Sequence, residues 1–136
     1  MPITRKRRVV KPRVPRTRAS GTMTEARFWS YLRSGFRQTA MRWPPKMRVL
    51  DAAKRKSKSK NKKLTWEFQC SLCSKWFGRK DVEVDHIIPC GTLRCWEDVA
   101  PFLEKLFVEE EGLRVLCKGC HSNITKVNRR INDEKV

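Results

Sequence analysis

The sequence predicts an α+β protein whose second half is stapled by a metal and whose first half is a basic helical extension. Three observations predict it. Amphipathic helical stretches alternate with short β-like runs rather than following a βαβ rhythm. Two Cys-x-x-Cys pairs, Cys70/Cys73 and Cys117/Cys120, stand far apart in the chain. The charge is also lopsided: the chain carries a formal +18 over 136 residues, and residues 1–63 alone hold 21 basic and two acidic side chains. Residues 64–136 are nearly neutral and contain all six cysteines.

Residues 1–20 hold three prolines and too few apolar side chains to bury, which predicts a disordered basic arm. Residues 21–63 form a basic helical extension and linker. Thr22 or Thr24 is placed to cap a helix running to about Trp43, where Pro44-Pro45 ends it. Phe28, Leu32, Phe36 and Ala40 recur every fourth residue, a stripe that predicts packing against the second half. Arg27, Arg33, Arg37 and Arg42 occupy other faces. A short helix over 46–55 follows, then a low-complexity run from Lys54 to Lys63 that reads as a flexible linker. The module at 64–136 opens with an alternating strand at 64–69. A second β-like segment spans 82–88, and a helix capped by Asp98 reaches about Phe107. A short strand at 113–116 and a helix from near His121 to Ile131 complete it.

Composition excludes several classes. No run of about 18 apolar residues exists to span a membrane. The charged start is not followed by the apolar stretch of an export signal, so a reducing, cytoplasmic compartment is expected. There, cysteine pairs favour metal over disulfide. The surplus of cations attracts a polyanion, and nucleic acid is the commonest one inside cells. Arg5, Lys6, Arg7 and Arg8 in the arm, with Lys58, Lys60, Lys62 and Lys63 in the linker, are the candidate DNA contacts. Such contacts give salt-sensitive affinity with little base specificity.

The two cysteine pairs offer four thiolates to one ion, and tetrahedral Zn2+ suits four sulfurs. A redox Cys-x-x-Cys needs only one pair, usually in a βαβ setting. Cys117-Lys-Gly-Cys120-His121 matches a haem-attachment string, but that reading leaves the other pair idle. Cys90 and Cys95 lie outside the pattern and read as packing residues.

Both histidines of the chain stand beside chemistry. His86 follows Asp85 at the end of an apolar strand, and His121 directly follows Cys120. The run Val84-Asp85-His86-Ile87-Ile88-Pro89, followed by Gly112-Leu113-Arg114-Val115-Leu116-Cys117-Lys118-Gly119-Cys120-His121, resembles the zinc-stapled HNH endonucleases common in bacteriophages. The resemblance covers about residues 66–128. It implies a ββα-metal (His-Me finger) core with a four-cysteine zinc staple, in which Asp85 and His121 hold a catalytic divalent ion and His86 is the general base. It also implies DNA as substrate, action in a phage-infected host's cytoplasm, and partnership with the phage packaging machinery.

The chemistry of the residues agrees. An imidazole accepts a proton from water near neutral pH. A carboxylate and an imidazole hold one ion while leaving sites for phosphate and water, with donors suited to Mg2+ or another divalent metal. A zinc closed by four sulfurs has no open position for catalysis. The family pattern has Asn where this chain has Gly112, and commonly Lys three residues after the final His, where this chain has Ile124. A substitute for the Asn is expected from the Glu97–Glu111 segment, and Lys126 stands near the Lys position. These departures keep a second reading open, a catalytically degenerate zinc-bound DNA-binding module.

Overall fold

The computed structural model describes residues 7–134. The elements in chain order are β1 (Arg16–Arg18), β2 (Met23–Thr24), α1 (Glu25–Ala40), α2 (Pro44–Ala53), β3 (Lys54–Lys56) and β4 (Trp66–Gln69). They continue with β5 (Trp76–Phe77), β6 (Val82–His86), α3 (Val99–Leu106), β7 (Leu113–Cys117) and α4 (Lys118–Glu134). The α+β class therefore holds, with small antiparallel sheets: β1-β2, β3-β4-β5 and β6-β7. No helix of the described residues is long and apolar enough to cross a membrane.

Thr24 caps α1, its side chain accepting from the backbone N–H of Arg27 at 3.2 Å, and Glu25 complements the dipole of the first turn. Pro44 and Pro45 start α2 rather than merely ending α1. In a helix's first turn the missing N–H is no loss, because that donor would lack an intrahelical partner anyway. Asp98 does not cap α3 with its side chain; its carboxylate accepts from the Arg94 N–H instead. Helix α4 begins at Lys118, so the second cysteine knuckle is its first turn.

Two expectations for the basic half need correction. Arg16–Arg18 pairs with Met23–Thr24, so the arm is not irregular as far as residue 20. Lys54–Lys56 is not linker: it pairs with Trp66–Gln69, in the register Lys54↔Phe68, Arg55↔Glu67, Lys56↔Trp66. Arg55 places its guanidinium 3.7 Å from the Trp76 ring centroid and donates to Glu67 at 3.1 Å, and Lys54 lies over Trp66. Aromatic and acidic partners across the sheet thus neutralise a run that looks unstructured in isolation.

The core has three parts. Trp29 and Ala40 of α1 pack with Cys90, Leu93, Phe102 and Leu106, so the expected stripe of α1 meets α3 and the loop before it. Leu50 of α2 packs with Phe68, Val82 and Val115. Cys70, Leu116 and Cys117 form the third cluster, flanked by Cys73, Cys120 and Ile124. Strand β7 lies between the last two, turning Val115 to one side and Leu116 to the other, as a period of two requires. Strands β6 and β7 pair from Val82↔Cys117 to His86↔Leu113, and α4 leaves directly from the end of β7.

Candidate metal centre and cleft

The first knuckle lies between β4 and β5. The Cys70 N–H donates to Lys75 O, Ser74 N–H donates to Cys70 O, and Ser74 takes a left-handed φ of 60° that closes the turn. The Ser71 N–H donates to Val115 O at 2.8 Å, fastening this knuckle to β7 and so to the second pair. The sulfurs of Cys70, Cys73, Cys117 and Cys120 all lie within 4.8 Å of one another. The Cys73 and Cys117 sulfurs are 3.9 Å apart. Tetrahedral zinc with bonds of about 2.3 Å needs sulfurs spaced by about 3.8 Å, so the group could hold a metal such as zinc.

Acidity across the four thiols is uneven. Burial opposes ionisation of Cys70, but backbone N–H groups at its sulfur outweigh that and lower it to about 6. Hydrogen bonding with the Cys117 sulfur, together with burial and the neighbouring thiols, pushes Cys120 up to about 12. One thiolate forms readily, whereas four together need a cation.

A second constellation sits where β6 meets α4 and the end of α3. Glu83 and Asp85 are two apart on β6 and therefore share a face, which looks toward His121 in the first turn of α4. His121 Nδ1 lies 3.1 Å from a Glu83 oxygen, and His121 Nε2 lies 3.5 Å from Asp85 Oδ1. The other Asp85 oxygen accepts from Arg114, directly across the strand pair, at 3.3 Å. His121 thus stands between the carboxylates of Glu83 and Asp85.

His86 turns toward α3. Its Nε2 lies 2.9 Å from the carbonyl oxygen of Leu106, the last residue of that helix. A carbonyl oxygen only accepts, so Nε2 carries a proton and donates it here. The last carbonyls of a helix lack intrahelical partners, so this acceptor is free for the purpose. A cleft of about 370 Å³ takes in Asp85, His86, Leu106 and His121, and Arg37 and Lys46 also line it.

Gly112 is explained by its neighbours. A Cβ there would stand 2.3 Å from a Val108 methyl carbon, so no larger residue fits as the loop is built. The bracing expected from an acidic or amide side chain of Glu97–Glu111 comes instead from main-chain carbonyls. Gly112 O accepts from the Ile87 N–H at 2.9 Å, and Leu106 O accepts from His86. Ile124 belongs to the cluster around the cysteine knuckles, and Lys126 is exposed on α4.

None of the described candidate nucleic-acid contacts lines this cleft. Arg5 and Lys6 fall outside the described residues, while Arg7 and Arg8 are exposed and irregular. Lys58, Lys60, Lys62 and Lys63 are exposed on the loop joining β3 to β4. This loop is a built turn. Ser59 N–H donates to Ser57 Oγ, Asn61 N–H to Ser59 Oγ, and Lys63 N–H to Asn61 Oδ1.

Sequence reasoning missed Glu83, Arg114 and the Leu106 carbonyl. The first two were open to inference from strand alternation and cross-strand pairing. A main-chain acceptor supplied by the end of a helix leaves no residue signature. Comparison of the chain with protein-family models, with curated proteins and with solved structures found no match.

Proposed function

We propose that the protein is a metal-dependent DNA endonuclease that hydrolyses phosphodiester bonds with water activated by His86. The reading rests above all on one cleft holding both a histidine with a fixed tautomer and a carboxylate–imidazole pair poised for an ion. The β6–β7 pair followed by α4 is the arrangement a ββα-metal core requires, and it supports the reading.

Asp85 and His121 would hold the catalytic ion, Mg2+ or another divalent metal, which supplies positive charge to the phosphate as it becomes more anionic in the transition state. Glu83, 3.1 Å from His121 Nδ1, would accept the proton of that nitrogen and leave Nε2 for the ion. Arg114 holds one Asp85 oxygen and thereby aims the other. His86 Nδ1 takes a proton from the attacking water as its oxygen bonds to phosphorus. The Leu106 carbonyl keeps the ring in register and stabilises the imidazolium that forms. The phosphorus–alkoxide bond breaks, and the departing oxygen draws its proton from solvent. The four cysteines would hold Zn2+ as a structural staple, and the basic loop and arm would contribute duplex affinity independent of sequence.

The test is relaxation of supercoiled plasmid by the purified chain with Mg2+, Mn2+ or Ni2+, beside EDTA and beside His86→Ala. Metal-dependent relaxation, lost in a His86→Ala protein with unchanged zinc content and circular dichroism, is the expected outcome. Cleavage retained by folded His86→Ala removes the mechanism. Tight, salt-sensitive plasmid binding without cleavage in any metal would leave a zinc-bound DNA-binding module instead.

A further inference from the structure

The cleft that takes in Asp85, His86 and His121 is also lined from the basic N-terminal helices, by Arg37 near the end of α1 and Lys46 in the first turn of α2. The charge of Arg37 is one of the causes, after burial, that act on Lys46. Among the described residues neither has a carboxylate within ion-pair distance. The acid of the cleft, Asp85, is already engaged by Arg114 and His121. Cys90 lies beneath them, but burial pushes its thiol up, so it remains neutral near pH 7 and supplies no counter-charge.

Two unpaired like charges facing one cavity are unfavourable unless an anion enters it. Lys46 is half-buried, and burial is the main cause that lowers its pKa, so its ammonium lacks the full hydration of a surface lysine. Arg37 is exposed, with its guanidinium 6.0 Å from the ring centroid of Phe102 of α3. A guanidinium suits two oxygens of one phosphate, and an ammonium suits a single oxygen as a point charge.

We propose that Arg37 and Lys46 grip the non-bridging oxygens of the scissile phosphodiester, making the N-terminal helices one half of the active site. The proposal rests on the nuclease reading and adds to it the residues that seat the substrate. It separates two uses of positive charge in the chain. The exposed lysines of the β3–β4 loop attract the duplex at large, whereas Arg37 and Lys46 act on the one phosphate that meets His86.

The experiment compares Arg37→Gln and Lys46→Gln with the wild-type chain and with Arg42→Gln, an exposed position outside the cleft. Steady-state plasmid relaxation is measured in the metal that supports it, with melting and zinc content checked for each variant. Each cleft variant should lose kcat by roughly 100-fold, the scale of removing one transition-state donor, with a smaller change in KM. Each should also lower the salt slope of duplex binding, measured on the zinc-loaded chain without added Mg2+ or other cleavage metal, by about 1, as expected for one phosphate contact. Arg42→Gln should cleave as the wild type does. If the wild type cleaves and both folded cleft variants keep full kcat, the grip is overturned and the nuclease stands. If the wild type cleaves nothing in any metal, the nuclease reading fails and this assignment falls with it.

Discussion

Gly112 shows how one residue reports on a whole loop. Its missing side chain is a packing requirement, because Val108 fills the space where a Cβ would go. Val108 in turn is held by its carbonyl, which accepts from Trp43 Nε1 at 2.7 Å. Gly112→Ala should therefore destabilise the chain by about 1–3 kcal/mol in denaturant unfolding, as overpacking does. Combining it with Val108→Ala should restore part of that loss, giving a double mutant more stable than the sum of the singles predicts. Strict additivity would show that the two side chains do not compete. Glu83 offers a second residue-level test, since its carboxylate only orients His121. Glu83→Gln should weaken divalent-ion binding roughly 10-fold by calorimetry on the zinc-loaded chain, without changing zinc content. Unchanged affinity would mean that His121 needs no such support.

At the scale of elements, the two knuckles depend on each other. One sits between β4 and β5, the other opens α4, and the Ser71–Val115 hydrogen bond with the shared sulfurs joins them. Zinc analysis should give one ion per chain, and strong chelation should melt this region, seen as lost circular dichroism. Cys70→Ser should do the same without a chelator, and a folded, zinc-free Cys70→Ser would refute the staple. Because Cys120 holds its proton up to about 12, zinc entry must displace protons, so apparent zinc affinity should fall as pH falls. Elements with a strong period were legible in the sequence. The α1 stripe, the α3 face and the alternation of β4 all follow from where apolar residues recur. Strand β3 was not, because Lys54-Arg55-Lys56 has no apolar residue, and its partners Trp66, Glu67 and Trp76 lie well downstream. The cysteine group was legible because chelation imposes local spacing. The setting of His86 was not, because its partner is a backbone atom at the end of another helix.

For the whole molecule, charge and packing divide the chain at different places. Charge changes sharply near residue 63, yet the core passes straight through that point. Trp29 and Ala40 bury Phe102 and Leu106, and Leu50 buries Phe68 and Val115. Burying one large apolar side chain contributes about 1.5–3 kcal/mol. Losing Trp29 and Leu50, and uncovering the faces beneath them, therefore removes an amount comparable to the roughly 5–15 kcal/mol that holds a typical domain together. Residues 64–136 alone would also lose β3, leaving β4 without one neighbour. This fragment, supplied with zinc, should bind the ion at the four cysteines but show no cooperative melting transition and bind an apolar dye. The full chain under the same conditions should melt in one transition. A fragment that melts cooperatively would make the N-terminal helices an attachment to an independent domain. Its failure to do so would explain why a strongly basic segment keeps an apolar stripe: the stripe completes the fold of the second half.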